Sequence, residues 1–451
     1  HGYHCRIYAP VGGHRDLLAY LVRRLLENGA NSSFVHQLAD ERLSEAEILA
    51  DPVLKIAHVG GTRHPSIPLP RDLFAPGHRN SEGIDLNDRV VLEATRKAVA
   101  KPLAKTLEIA KAGPGETSST PGHAPAGEGL VAQAIGRAHA AFPAWTATPV
   151  EVRAACLDRL ADLIEAHREE LMAICVQEAF KTIPDAIGEV REAADFCRYY
   201  ADEARRNLRW VELPGPTGER NTLHIEGRGV WATIAPWNFP LAIFLGQTVA
   251  ALVTGNTVVA KPAPQTPRIA ARAVALAHDA GIPSDALILA IGGPEVGAAL
   301  TADTRVQGVA FTGSTGTAKA IARSLLADDD RPIVPLIAET GGINAMIVDS
   351  TALPEQVVAD VVTSAFRSAG QRCSALRLLL LQEEIAETTI EMLKGAMDTL
   401  RLGDPGDPAT DVGPVIDQAA YDKLMAYRAG ATIVKTVDAP AEGLFVPPTL
   451  I

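Results

Sequence analysis

The chain has 451 residues, enough for two or three domains and a large buried core. With 47% hydrophobic and 21% charged residues, the balance is that of an ordinary globular protein. A net charge of -12 and a pI near 5.5 argue against a nucleic-acid or anionic-membrane partner, because phosphate binding needs a basic face. No stretch approaches the roughly 20 apolar residues of a membrane span, and the run LRLLLL at 376–381 reads as a buried strand. The five cysteines, Cys5, Cys156, Cys175, Cys197 and Cys373, are odd in number and scattered, without metal-ligand spacing. No signal-peptide leader is evident and the first residue is His1, so the expectation is a trimmed piece of a longer protein from a reducing cytoplasm.

In chain order, CRIYAPVG reads as a strand and DLLAYLVRRLL as a helix stopping at Asn28-Gly29, a good C-terminal cap. One strand and one helix cannot bury a core, so residues 1–50 look like the end of a larger α/β domain. Residues 51–129 are rich in Pro, Gly, Ser and His, as a linker region is, with one helical patch, RVVLEATRKAVAKPLAKTLEIAKA. Residues 130–208 are helical in pattern, with Leu157, Leu160 and Leu163 on one face. Short apolar strands then alternate with helices: GVWATIAP, NTVVAKP, LILAIGG, VQGVAFTGS and IVPLIAETG. Such alternation marks parallel βαβ units with ligand loops at the strand ends. A second α/β block opens at AMIVD and runs through Cys373 towards Ile451.

Five patterns fall at strand ends or loops: IAPWNFP with Asn238, NTVVAKPA with Lys261, FTGSTGTAK with Gly313 and Ser314, IAETGG with Glu339, and GQRCSA with Cys373. Each has a bland reading. Asn238 can cap the next helix, Lys261 can be a solvated charge, Gly313-Ser314 is a generic anion-friendly turn, Glu339 can be a loop carboxylate, and a lone Cys is commonly core packing.

As a set they fit one chemistry. A thiolate adding to an aldehyde carbonyl needs an accessible Cys outside an apolar run. The resulting oxyanion needs donors, such as an Asn amide and a backbone N–H, each worth about 3 to 4 kcal/mol. After hydride leaves to a nicotinamide, a carboxylate such as Glu339 can direct water at the thioester. A helix N-terminus at Gly313-Ser314 can receive a pyrophosphate, and Lys261 a ribose hydroxyl.

At these residues, over about 140–451, the sequence resembles the aldehyde dehydrogenase superfamily. Asn238 and Lys261 stand 23 residues apart and Glu339 and Cys373 34 apart, as in the family pattern, and LRLGDPGDPATDVGPVI also looks like a family signature. The resemblance implies a doubly wound α/β dinucleotide-binding domain at 130–338 and an α/β catalytic domain at 339–451. It implies Cys373 as nucleophile, Asn238 as oxyanion donor and Glu339 as hydrolytic base. Ile234, Pro236, Trp237, Lys261, Gly293, Gly297, Phe311, Gly313 and Ser314 would line the dinucleotide. Ser374 is a candidate substrate contact. The superfamily uses no GxGxxG loop.

The N-terminal stretch is similar to the end of the flavin-dependent (β/α)8 barrel of proline dehydrogenase in the bifunctional proline utilization A family. There Tyr8, Tyr20, Arg23 and Arg24 would correspond to proline-binding residues, paired arginines suiting a carboxylate; alone, they read as a helix with two solvated arginines. The segments RHPSIPLPRDLF and QEAFKTIPDAIGEVREAADFCRYYA also look like this family. The expected reaction is oxidation of L-glutamate 5-semialdehyde, from pyrroline-5-carboxylate, to L-glutamate. NAD is the expected acceptor with NADP open, the substrate is a small aldehyde, and the complete protein is expected to be a homo-oligomer.

Three departures temper this. A barrel remnant alone should neither oxidise proline nor hold FAD. Pro264 stands where many members carry a ribose-gripping glutamate. The chain ends at FVPPTLI, before the family's nicotinamide-ribose glutamate and substrate-carboxylate loop. Rival readings are an aldehyde dehydrogenase of another substrate range and an inactive dinucleotide-binding fragment. A cysteine hydrolase is disfavoured because His278 is the only histidine between Asn238 and Cys373 and sits in an apparent outer helix.

Overall fold

The computed structural model describes residues 37–38, 40, 42–58, 60–62, 66–74, 78–101, 123–124 and 128–451. The N-terminal strand and helix expected around Tyr8, Tyr20, Arg23 and Arg24 lie outside these. The chain divides into His1–Leu69 and Pro70–Ile451. In the first unit the described residues include helices α1 (Glu45–Ile48) and α2 (Pro52–His58). At α1 the Ser44 side chain accepts from Glu47 N–H while the Glu47 carboxylate accepts from Ser44 N–H, satisfying two orphan donors reciprocally.

In the second unit, α3 (Arg89–Val99) is capped by Asp88, whose carboxylate accepts from the Val90 amide at 2.7 Å. The expected helical patch is thus seen as far as Val99; its remainder falls largely outside the described residues. Strand β1 (His123–Ala124) precedes four helices: α4 (Glu128–Ala147), α5 (Val150–Ala166), α6 (Arg168–Ala179) and α7 (Ile183–Asn207). On α5, Leu157 and Leu160 are fully buried, but Ile164 takes the third core place and Leu163 is only half-buried. A hairpin follows, β2 (Val211–Leu213) with β3 (Asn221–Leu223).

The strand–helix alternation then builds β4 (Val230–Ile234), α8 (Ala242–Val253), β5 (Thr257–Lys261), α9 (Pro267–Asp279), β6 (Leu287–Ala290), α10 (Pro294–Ala302), β7 (Val306–Gly313), α11 (Thr315–Leu325) and β8 (Leu336–Thr340). The sheet order is β1-β6-β5-β4-β7-β8, with every pair parallel. The chain winds outward from β4 to β6, then crosses back to β7 on the other side of β4. That reversal makes the carboxyl ends of β4 and β7 the switch point, where open α/β sheets bind ligands. Val258 and Ala260 face one core cluster and Val259 the other, so helices cover both faces, as a strand that is apolar throughout requires. β1 draws two residues of the expected linker region into this sheet through His123↔Leu289.

The last block holds β9 (Asn344–Val348), α12 (Pro354–Phe366), a 3₁₀ turn at Arg367–Gly370, β10 (Leu376–Leu381), α13 (Glu383–Met397), α14 (Gln418–Ala429) and the short pair β11 (Lys435–Thr436) and β12 (Thr449–Leu450). LRLLLL is a strand, parallel to β9, but only one face of it is buried. Leu378 and Leu380 are 45% and 44% exposed, because helices cover only one face of this two-stranded sheet. Among the described residues, no helix is long and apolar enough to cross a membrane.

Glu178, at the end of α6, caps α9: its carboxylate accepts from the Arg268 and Ile269 amides at 2.8 and 3.0 Å, where Thr266 makes no side-chain cap bond. Burial pushes its carboxyl up to about 6 against an ordinary 4.5, despite those two bonds. A folded value above the unfolded one gives stability that is full below pH 4.5 and lost as pH rises through 6, on the order of 2 kcal/mol. Urea midpoints of the wild type should therefore fall over that window relative to Glu178→Gln; parallel pH profiles for the two proteins would show that the group does not titrate there.

Candidate active site

The parallel register sets the predicted residues in a row. Ile234 pairs with Lys261 on one side and with Phe311 on the other, and Phe311 pairs with Ala338. Neighbouring strands lie about 4.8 Å apart, so Lys261, Ile234, Phe311 and Ala338 form one line across four carboxyl ends. Glu339 is one residue further out, opposite Thr312, and is exposed.

Lys261 is buried, and its Nζ donates to the Pro262 carbonyl at 3.2 Å. Burial lowers its pKa, an effect only partly offset by the Glu295 carboxylate. A Cβ added at Gly297 would stand 3.8 Å from the Lys261 Cδ and Cε, which places α10 against that side chain. The two helix N-termini here differ. At α10, Glu295 accepts from the Gly293 amide at 2.7 Å and fills the anion position with its own carboxylate. At α11, the N-cap Ser314 offers a neutral hydroxyl that accepts from Thr317 N–H at 3.1 Å. Phe311 is buried, and its ring lies where a Cβ on Gly313 would meet it at 2.6 Å. Pro236 and Trp237 are half-buried in the loop after β4, and Pro264 is exposed.

Asn238 does not cap α8. Its Nδ2 donates to the Gln371 carbonyl at 3.0 Å, joining the loop after β4 to the loop that carries Cys373 two residues on. The Asn238 Oδ1 is buried without a partner among the described residues. Cys373 is exposed, whereas Cys156, Cys175 and Cys197 are buried. Burial pushes those three thiols up, well above the ordinary range for Cys175. Only a thiol that can ionise and meet solvent is a useful nucleophile. On its far side the Cys373 loop is tied to β9, where Asn344 Nδ2 donates to the Cys373 and Ala375 carbonyls at 2.8 and 2.9 Å. Ser374 is exposed beside it.

Sequence reasoning missed the residues that hold these loops. Lys181, Asp185 and Glu189 are buried, at the start of α7 and just before it. The Glu189 carboxylate accepts from the Leu241 and Ala242 amides at 3.2 and 3.0 Å, capping α8. Lys181 Nζ lies 3.3 Å from Glu189 Oε1, donates to the Asn238 carbonyl and sits 4.5 Å above the Phe239 ring. Asp185 accepts from Arg372 at 2.6 Å, Arg367 at 3.0 Å and the Ser368 hydroxyl at 2.8 Å. Burial drives the Asp185 carboxyl up, but Arg372, Arg367 and the Ser368 hydroxyl outweigh it and leave it below the usual range. Their signal in the sequence was acids at i and i+4 on an otherwise apolar helix face.

A cavity of about 560 Å³ is lined by His78, Asn80, Gly188, Arg191, Glu192, Asp195, Phe196 and Tyr199, none of them a predicted site residue. Lys261, Ile234 and Phe311 lie instead at the carboxyl ends of β5, β4 and β7, around the switch point. Among the described residues, no group of three His, Cys, Asp or Glu side chains could hold a metal ion.

Residues 105–451 match the profile of the aldehyde dehydrogenase family, and the chain belongs to that family. Residues 1–37 match the proline dehydrogenase profile. Among individual proteins, the bifunctional protein PutA of Klebsiella aerogenes is 48% identical over 99% of this chain and 36% of its own length. The 1-pyrroline-5-carboxylate dehydrogenase of Anoxybacillus flavithermus is 35% identical over 72% of this chain and 65% of its own. A crystal structure of bifunctional proline utilization A superposes with a TM-score of 0.85 at 54% identity, covering 98% of this chain and 44% of that one. The chain spans about a third of the length of the curated PutA relatives it matches.

Ser314 tests how α11 is built. Ser314→Ala removes its cap and should lower stability by about 1 kcal/mol, read from the urea midpoint. An unchanged midpoint would mean that the hydroxyl does not serve the helix.

Proposed function

We propose that the chain oxidises L-glutamate 5-semialdehyde, the open form of pyrroline-5-carboxylate, to L-glutamate. The observation that carries the reading is the Asn238–Gln371 hydrogen bond, which brings an amide donor to an exposed cysteine's loop at the sheet's switch point. The choice of aldehyde is supported by the relatives named PutA and 1-pyrroline-5-carboxylate dehydrogenase.

The thiolate of Cys373 adds to the aldehyde carbon. The carbonyl oxygen, now an alkoxide, accepts from the Cys373 backbone amide and from the second N–H of Asn238 Nδ2, whose first N–H is fixed on Gln371. NAD, when bound, supplies the acceptor for the hydride that leaves this carbon, and Cys373 is left as a thioester. Glu339, on the edge strand beside Phe311 and Thr312, takes a proton from water as its oxygen attacks the thioester carbon, and the C–S bond breaks to release the carboxylic acid and the Cys373 thiolate.

The residues present fit the dinucleotide. Lys261 offers ammonium N–H groups beyond its one bond to Pro262, for an adenosine ribose. The pyrophosphate belongs at α11, because its cap is neutral where the α10 terminus already holds Glu295. Ile234, Pro236, Trp237, Phe311, Gly293, Gly297 and Gly313 line the rest. NAD rather than NADP is part of the proposal, as are the boundary between 130–338 and 339–451, a homo-oligomeric full-length protein, and the Ser374 substrate contact. Residues 1–50 are assigned to the end of a proline dehydrogenase barrel, whose FAD and proline chemistry would need the rest of that barrel.

Cys373→Ser should lower NAD-dependent semialdehyde oxidation by at least about three orders of magnitude while the NAD Kd from calorimetry stays within about twofold. A variant retaining more than about a tenth of the wild-type turnover would overturn the assignment.

A further inference from the structure

Asp185 and Glu189 stand one helical turn apart on the same face of α7, and each grips a different loop. Asp185 receives three donors from residues 367–372, the run that leads into Cys373. Glu189 takes the Leu241 and Ala242 amides where the loop after β4 enters α8, and Lys181 takes the Asn238 carbonyl in the middle of that loop. The Asn238–Gln371 bond closes the ring between the two loops.

The 367–372 run needs such a grip. Ser368 and Ala369 are non-glycine residues at φ 54°, followed by Gly370 at φ 68°. Left-handed backbone is unfavourable for an ordinary L-residue and persists only where its surroundings over-determine it. Here Asp185 holds the Ser368 hydroxyl and the Arg372 guanidinium together, and Arg372 Nε donates to the same hydroxyl at 3.1 Å. A Cβ at Gly370 would meet the Ala365 carbonyl oxygen at 2.8 Å, so the turn has no slack on that side.

We propose that the first turns of α7 are the positioning element of the reaction. Asp185 fixes the loop bearing the nucleophile, and Glu189, with Lys181, fixes the loop bearing the oxyanion donor, so the helix pitch sets the separation of thiol and amide. This rests on the roles of Cys373 and Asn238 given above. Neither acid touches the reacting atoms: Asp185 acts through three side chains of its loop and Glu189 through two backbone amides.

The test uses hydrogen exchange read peptide by peptide on the whole chain, together with steady-state kinetics. Asp185→Asn should speed exchange at least tenfold in peptides covering 366–374 and leave 238–243 within twofold; Glu189→Gln should do the reverse. In both, kcat should fall at least tenfold with KM and the NAD Kd within twofold. If Asp185→Asn does not accumulate as folded protein, Ser368→Ala removes one of the same bonds, and Lys181→Met does so for Glu189→Gln. Exchange that rises across the whole sheet, or in neither loop, would show a merely structural role and overturn the proposal, as would kcat within twofold of wild type. Semialdehyde oxidation that survives Cys373→Ser would instead sink the reading of the site, while the exchange pattern would still report on α7.

Discussion

The hydrogen bond from Asn238 to the Gln371 carbonyl spans 133 residues of sequence and joins two separately built blocks. One is the six-stranded parallel sheet, whose register fixes where the loop after β4 begins. The other is the β9–β10 block, whose Asn344 holds the far side of the Cys373 loop. A parallel sheet leaves its loops at one edge but does not say how they close on each other. Here the closure is made by amides and carbonyls, groups that tolerate little displacement before the bond is lost.

The network behind that bond is costly to bury. Lys181 and Glu189 are both nearly inaccessible, and Glu189 is held above its ordinary pKa chiefly by burial. A buried ion pair is weak evidence for stability, since desolvation consumes most of the Coulombic gain and an apolar pair of similar volume often does as well. What such a pair does supply is direction. The Glu189 carboxylate can accept two backbone amides at once, and the Lys181 ammonium can serve a carboxylate and a carbonyl together. An apolar replacement would leave the Leu241 and Ala242 amides without their acceptor, at about 1–3 kcal/mol for each buried orphan.

The sequence made the chemistry-bearing residues legible and the scaffolding ones obscure, for a physical reason. Asn238, Lys261, Gly313, Ser314, Glu339 and Cys373 sit at strand ends, where an apolar run breaks off into polar or small residues, and that break is visible in one dimension. Asp185 and Glu189 sit inside a long helix, where acids usually face water. The one local mark is their i, i+4 spacing on an otherwise apolar face, and it does not say what they hold, because the loop groups they grip lie 52 to 187 residues away. The segment containing them resembled a known family as text, without revealing what its acids hold. The misjudged burial of LRLLLL has the opposite cause. An unbroken apolar strand argues for cover on both faces when it is central in a large parallel sheet, but β10 pairs only with β9 among the described residues, and its second face is open.

The four described cysteines show why constraint, rather than burial, distinguishes the site. Cys156, Cys175 and Cys197 lie in the core, where desolvation opposes the thiolate, and they serve as small apolar side chains. Cys373 is exposed, so packing does nothing to fix it. A side chain that must meet a substrate cannot be fixed by being covered. Its position has to come from the backbone, and the backbone before it is held in three successive left-handed residues by hydrogen bonds to a buried carboxylate. Order has been moved one layer inward, which lets the thiol be both placed and free to react.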